Sequence, residues 1–191
     1  VVEALAALRN LGVQRVLSIA AGINLATLES AIGPQVAVIR AMPNTPALVG
    51  EGAAAMSGGS AATESDLAWA EQILDAVGTV VRVPESQLDA VTAVSGSGPA
   101  YVFLIAEAMI QAGILQGLDP ATADALVRQT LLGSARLLIE QDWDPAELRA
   151  RVASPGGTTE AALRVLQTGK LQETLIDTIA AATERSRELA G

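Results

Sequence analysis

No cysteine and no histidine occur among the 191 residues. Without thiols there is neither a disulfide framework nor thiolate chemistry. Without imidazole, Ser-His-Asp hydrolysis and most zinc sites are excluded, and no metal site is expected. Aromatic residues make up only 2% although hydrophobic residues make up 50%, so the core has to be built from Ala, Val, Leu and Ile. Basic residues are scarce as well. Twelve Lys plus Arg face 21 Asp plus Glu, the net charge is −9, and Lys170 is the single lysine. A surface of that sign argues against a nucleic-acid or anionic-membrane partner. The most apolar run, residues 100–110, is too short to cross a bilayer and contains Glu107, so it reads as a buried helix. No targeting segment is visible, and a soluble cytoplasmic protein is the simplest reading.

What is present alternates in period. Residues 1–10 show apolar positions at helical spacing and stop before Gly12. Arg15-Val-Leu-Ser-Ile-Ala-Ala21 reads as a strand, and Asn24 can cap a helix that Gly33-Pro34 stops near Ile32. Val36-Ala-Val-Ile-Arg40 is a nearly continuous β-branched run, as expected for a strand covered on both faces. Met42-Pro-Asn-Thr-Pro46 is a loop, residues 53–57 a further strand, and Thr63-x-x-Asp66 a capping box that opens a helix to Val77. After Gly78, Thr79-Val-Val-Arg-Val83 is the last strand. Strands alternating with helices predict a parallel α/β sheet.

From Leu88 the texture is helical only, which divides the chain into residues 1–87 and 88–191, with no Gly/Ser linker between them. The helix begun by Gly98-Pro99 and running to about Gln111 is apolar nearly all round. It must be buried on every side, which in a chain of this size suggests a subunit interface. Asp119-Pro120 and Asp144-Pro145 each place a cap before a proline in the first turn, and Ala123, Leu126, Val127, Thr130 and Leu131 share one face. Gly169 closes the next helix. Leu171, Leu175, Ile179 and Ala182 mark a final amphipathic one.

Two loops carry candidate chemistry. Val152-Ala-Ser-Pro-Gly-Gly-Thr-Thr159 runs straight into a helix, so its glycines, the helix N-terminal N–H groups and the hydroxyls of Ser154, Thr158 and Thr159 can seat a small anion such as a carboxylate. The plainer alternative is a turn with an N-cap. Asp89-Ala-Val-Thr-Ala-Val-Ser-Gly-Ser-Gly-Pro-Ala-Tyr101 also ends a small-residue loop at an apolar helix. Its Ser95-Gly-Ser-Gly98 is not a nucleophile elbow, because Gly-x-Ser-x-Gly fails around Ser97 and no histidine can act as base.

These two stretches, in this order and near this spacing, resemble the signature of the pyrroline-5-carboxylate reductase family. Ser18-Ile-Ala-Ala-Gly22, Arg40-Ala-Met-Pro-Asn-Thr-Pro46 and Glu184-Arg-Ser-Arg-Glu-Leu189 match it too, so the resemblance covers essentially the whole chain. It implies reduction of Δ1-pyrroline-5-carboxylate to proline by NADPH or NADH, the last step of proline biosynthesis. It also implies a homodimer formed through the helical part, with higher assembly open. The expected architecture is the C-terminal half of a Rossmann-type parallel sheet (1–87) followed by an all-helical dimerisation and substrate domain (88–191). No Gly-x-Gly-x-x-Gly fingerprint occurs, so the first half of the cofactor fold is expected to lie outside these residues.

Carried over residue by residue, the resemblance puts the substrate seat at Ser154, Gly156, Gly157, Thr158 and Thr159. Ser154 and the backbone N–H groups would hold the carboxylate, and Thr159 would bond the ring nitrogen and help deliver its proton. Glu85 would balance the iminium charge, Thr92 would line the same pocket, and Asp142 would help order a water. Ile19, Ala21, Asn44, Thr45 and Arg151 would meet the cofactor. Taken alone, Glu85 and Asp142 read as solvated surface carboxylates, and Ile19 and Ala21 as close packing of a strand exit. Two other readings stay open: a non-catalytic dimerising module, and another dehydrogenase with a helical domain. Against the latter, such enzymes commonly use a lysine acid, and Lys170 is the sole candidate.

Overall fold

A computed structural model describes residues 1–190 of the chain. The strands β1 (Arg15–Ser18), β2 (Ala37–Met42), β3 (Gly52–Gly58) and β4 (Gly78–Arg82) form one sheet in the order β1-β2-β3-β4. Helix α1 (Val2–Leu8) precedes it, while α2 (Leu25–Ile32) joins β1 to β2 and α3 (Glu64–Asp75) joins β3 to β4. Both of these crossovers leave parallel pairs, whereas β2 and β3 are antiparallel. The sheet is therefore mixed, and the expectation of a purely parallel one is corrected at this pairing. The reason is length. Only nine residues, 43–51, join β2 to β3, including a 3-10 turn at Thr45–Val49. A parallel return needs a crossover of about a dozen residues or more.

The core has two parts. Leu5, Leu25, Leu28, Ile32 and Val38 bring α1 and α2 onto the sheet, and Ile39, Met56, Ala70 and Leu74 do the same for α3. As the composition requires, both are aliphatic. The helix starts follow the expected caps. Asn24 Oδ1 accepts from Thr27 N–H at 2.8 Å, and the Asp66 carboxylate accepts from the N–H and hydroxyl of Thr63 at 2.8 and 2.6 Å. Gly78 has φ +148°, and a Cβ there would lie 2.0 Å from the Gly52 carbonyl oxygen, so only glycine lets β3 and β4 start side by side.

Beyond β4 a 3-10 turn (Glu85–Gln87) leads into α4 (Leu88–Val91), a π turn (Thr92–Gly96) and α5 (Gly98–Leu115). The helices α6 (Pro120–Glu140), α7 (Pro145–Val152), α8 (Thr158–Thr168) and α9 (Leu171–Ala190) follow. Because the π turn keeps the helix going, residues Glu85–Leu115 form one stretch of 31 residues, long and apolar enough to cross a membrane by length and composition. The expectation of a run too short to span is corrected accordingly. Within the described residues α5 carries no buried residue, and Phe103 and Leu104 are 65% and 66% exposed, which leaves its expected burial to a subunit interface. A helix this apolar needs cover that the described residues do not supply.

By packing, the described residues form two compact units, residues 1–99 with 177–190, and residues 100–176. The end of α9 belongs to the first because Ser186 donates its hydroxyl to Asp89 at 2.7 Å and the Leu189 backbone lies over Gly22.

The Asp66 carboxyl is held below its usual pKa, first by the Thr63 hydroxyl and N–H and then by Arg15 at 2.5 Å. A lowered folded-state pKa means that the unfolded chain binds the proton more readily. The contribution to stability is therefore complete above the ordinary carboxylate range and is lost as pH falls through it. Asp66→Asn should flatten part of the acid limb: in urea unfolding between about pH 6 and pH 3, the parent loses more stability than the variant.

Candidate functional site

In the sheet unit the candidate residues gather at the carboxyl ends of β1 and β2. Ile19 and Ala21 are exposed just past β1, and Ala20 N–H donates to Ser18 Oγ at 3.4 Å. Gly22 follows with φ +72°, and a Cβ there would meet the Leu189 carbonyl oxygen at 3.1 Å. After β2, the Asn44 side chain bonds at both ends. Its Nδ2 donates to the Ser95 carbonyl and hydroxyl at 3.2 and 3.3 Å, and its Oδ1 accepts from Ala53 N–H at 2.9 Å. Asn44 thereby fixes the loop against β3 and the π turn, and exposed Thr45 opens the 3-10 turn beside it.

Glu85 is engaged too. Its Oε1 accepts from the Leu25 N–H at the start of α2 (2.6 Å) and from Arg40 Nη1 (3.0 Å). The Arg40 side chain is only 8% exposed, and that of Glu85 33%. Thr92 donates its hydroxyl to the Leu88 carbonyl at 2.8 Å, and the Thr92 carbonyl accepts from Ser97 N–H at 2.8 Å, closing the π turn. A Cβ at Gly96 would come within 2.7 Å of the Met42 side chain, so the turn lies close on the end of β2.

The helical unit holds the other candidates on one short stretch. Arg151, in the last turn of α7, has its guanidinium 3.6 Å from the centre of the Trp143 ring and bonds Glu147 at 2.7 Å. Asp142 is exposed. The loop to α8 turns tightly, with Gly157 N–H donating to the Ser154 carbonyl at 2.9 Å and Gly156 at φ +71°. The N-cap of α8 is Gly157, which has no side chain to cap with, so the turn and N-cap of the plainer reading are present without a capping hydroxyl. The first bond within α8 runs from Ala161 N–H to the Gly157 carbonyl, leaving Thr158, Thr159 and Glu160 at the open N-terminus. Gly156 N–H donates to Glu160 Oε2 at 2.5 Å. The loop thus already takes a carboxylate from its own helix. Thr159 is half-buried, while Ser154, Gly156 and Thr158 are exposed.

Sequence reasoning passed over Arg40 and Ser186. A charge closing the β-branched run 36–40 was the available signal, because a buried arginine requires a partner. Ser186 carries no local signal, since its bond to Asp89 spans 97 residues.

A mixed sheet flanked by helices, followed by helices only, defines a Rossmann-type unit joined to a helical part. Residues 85–189 match the sequence family described as pyrroline-5-carboxylate reductase dimerisation. A pyrroline-5-carboxylate reductase from Synechocystis is 47% identical over 91% of this chain and 65% of its own length, and one from Pseudomonas aeruginosa is 46% identical over 93% and 65%. Among solved structures, a Coxiella burnetii pyrroline-5-carboxylate reductase superposes with a TM-score of 0.95 at 39% identity, covering 100% of this chain and 72% of the other. A Plasmodium falciparum pyrroline carboxylate reductase solved with NADP bound gives a TM-score of 0.91 at 31% identity, covering 100% and 73%. The chain belongs to the pyrroline-5-carboxylate reductase family. It spans just under two thirds, 65%, of the length of these curated relatives.

The Arg40–Glu85 pair makes an asymmetric prediction for stability. Glu85→Ala leaves a buried guanidinium unpaired and should lower the unfolding free energy by about 2–3 kcal/mol, less than the loss for a fully buried pair because Glu85 is partly exposed. Arg40→Met removes the buried charge itself and should cost less, as read from urea unfolding of both variants.

Proposed function

We propose that these residues form the substrate-binding and dimerising part of a reductase that converts Δ1-pyrroline-5-carboxylate to L-proline. The observation that carries this reading is the superposition of the whole chain on a 39%-identical pyrroline-5-carboxylate reductase with a TM-score of 0.95. The cofactor is NADPH or NADH, whose nicotinamide supplies the hydride. Small residues at the exit of β1, Ala20, Ala21 and Gly22, fit that role, because little side chain stands between the backbone and a flat ring. Ile19, Asn44 and Thr45 complete the proposed cofactor contacts of the sheet unit.

The chemistry needs little from the protein beyond placement. A protonated imine carbon accepts hydride readily: a C–H bond forms, the C=N π pair moves to nitrogen, and the nitrogen keeps its proton. Ser154 and the N–H groups of Gly156, Gly157, Thr158 and Thr159 hold the substrate carboxylate. The Thr159 hydroxyl bonds the ring nitrogen. Glu160 gives up its bond to Gly156 as the substrate carboxylate arrives. Glu160 is exposed and 3.7 Å from Arg164, so the cost of releasing it is small.

The same reading divides the chain functionally at residues 87 and 88, places the protein in the cytoplasm, and makes it a homodimer through residues 85–189. The dimer supplies the cover that α5 lacks.

Thr159→Ala tests the chemical role. Following NADPH oxidation by the full protein with Δ1-pyrroline-5-carboxylate, kcat should fall by about a hundredfold. The unfolding free energy should change by no more than about 1 kcal/mol, since the residue lies in the first turn of α8 without capping it. An equal loss of stability and turnover, or unchanged kcat, would remove Thr159 from the mechanism.

A further inference from the structure

The sheet face opposite α3 carries a groove that the reductase reading leaves unused. Side chains alternate along β3 and β4. Met56 and Val80 turn toward α3 and its core, Ala54 borders both that core and the groove, and Ala53, Ala55, Thr79 and Val81 turn the other way. With Val91, Val94 and other residues of the stretch 87–95, these outward-facing residues line a groove of about 390 Å³ that contains no charged side chain. Val81 is 52% and Val94 60% exposed. The strand β4 closes the order β1-β2-β3-β4 and has no further partner strand among the described residues. Edge strands are normally guarded by charge, but the Arg82 guanidinium is drawn to Glu64 and Glu71, both of α3.

We propose that this groove is part of the contact between two copies of the chain, filled by apolar side chains from residues 100–176 of the second copy. The inference rests on the dimer proposed above and extends it from the helices to the sheet. Two observations favour a second copy over an unrelated partner. The groove wall at residues 87–95 lies inside the segment 85–189 that matches the dimerisation family, so the groove is continuous in sequence with that surface. Two chains of net charge −9 repel each other, and self-contact is therefore placed where neither presents charge. The second copy has suitable groups to insert, since Phe103, Leu104 and Leu115 are 65%, 66% and 76% exposed.

The test introduces charge into the groove with Val81→Lys and Val94→Lys together, with Val81→Ile as the conservative control. Both valines are half-exposed in the single chain, and circular dichroism checks that the double variant stays folded. Sedimentation equilibrium should show a dimeric parent and control, and a double variant whose self-association is weakened at least about tenfold. Hydrogen exchange on the parent should show amides of residues 79–82 and 87–95 more protected at high protein concentration than at low. A double variant that associates as tightly as the parent, or exchange at these amides indifferent to concentration, would overturn the groove contact while leaving the dimer intact. A parent that sediments as a monomer throughout would remove the dimer and the groove contact together.

Discussion

A single carboxylate oxygen holds the candidate end of the sheet unit in register. Glu85 Oε1 takes the guanidinium of Arg40 from the end of β2 and the Leu25 N–H from the start of α2. Arg40 cannot lie buried without a counter-charge, because removing an ion from water costs several kcal/mol. The pair therefore fixes where the chain must be when it leaves β4. The 3-10 turn at Glu85–Gln87 is pinned beneath β2 and α2, and α4, the π turn and α5 start from that anchor. The π turn adds a second tie, through Asn44 to Ser95 and Ala53, so the loop after β2 and the root of the long helix are set by one connected group of bonds.

Local signals in the sequence located most elements. Asn24, Thr63-x-x-Asp66, Asp119-Pro120 and Asp144-Pro145 each mark a helix start through a short-range bond, and each forms such a bond in the structure. The direction of β3 was not legible in period or composition, because both orientations bury the same Ala and Met side chains. Connection length decides it, and the short segment 43–51 excludes a parallel return. The candidate seat at residues 154–159 was legible because glycine, proline and a helix start occur together in sequence. The partners of Glu85, Asn44 and Asp89 were not, since each bond joins residues at least 45 apart or depends on a loop whose path no local rule sets.

The apolar character of α5 was legible in the sequence, and an all-round hydrophobic helix in a chain of this size already pointed to a subunit interface. The fold spends its aliphatic core on α1, α2, α3 and the sheet, and leaves α5 with Phe103 and Leu104 exposed. The match of residues 85–189 to a dimerisation family gives that surface a reason.

Among the helix starts that receive a carboxylate from within the chain, α2 and α8 differ in how easily that carboxylate is released. At α2 the carboxylate comes from Glu85, 60 residues away, half-buried and held by a buried arginine; displacing it would strand that charge. At α8 it comes from Glu160, inside the same helix turn and exposed, with Arg164 no closer than 3.7 Å. Water can take over every bond that Glu160 gives up. The N-terminus of α2 is thus a structural joint, whereas at the N-terminus of α8 the carboxylate that pairs the N–H of Gly156 can leave without stranding a buried charge.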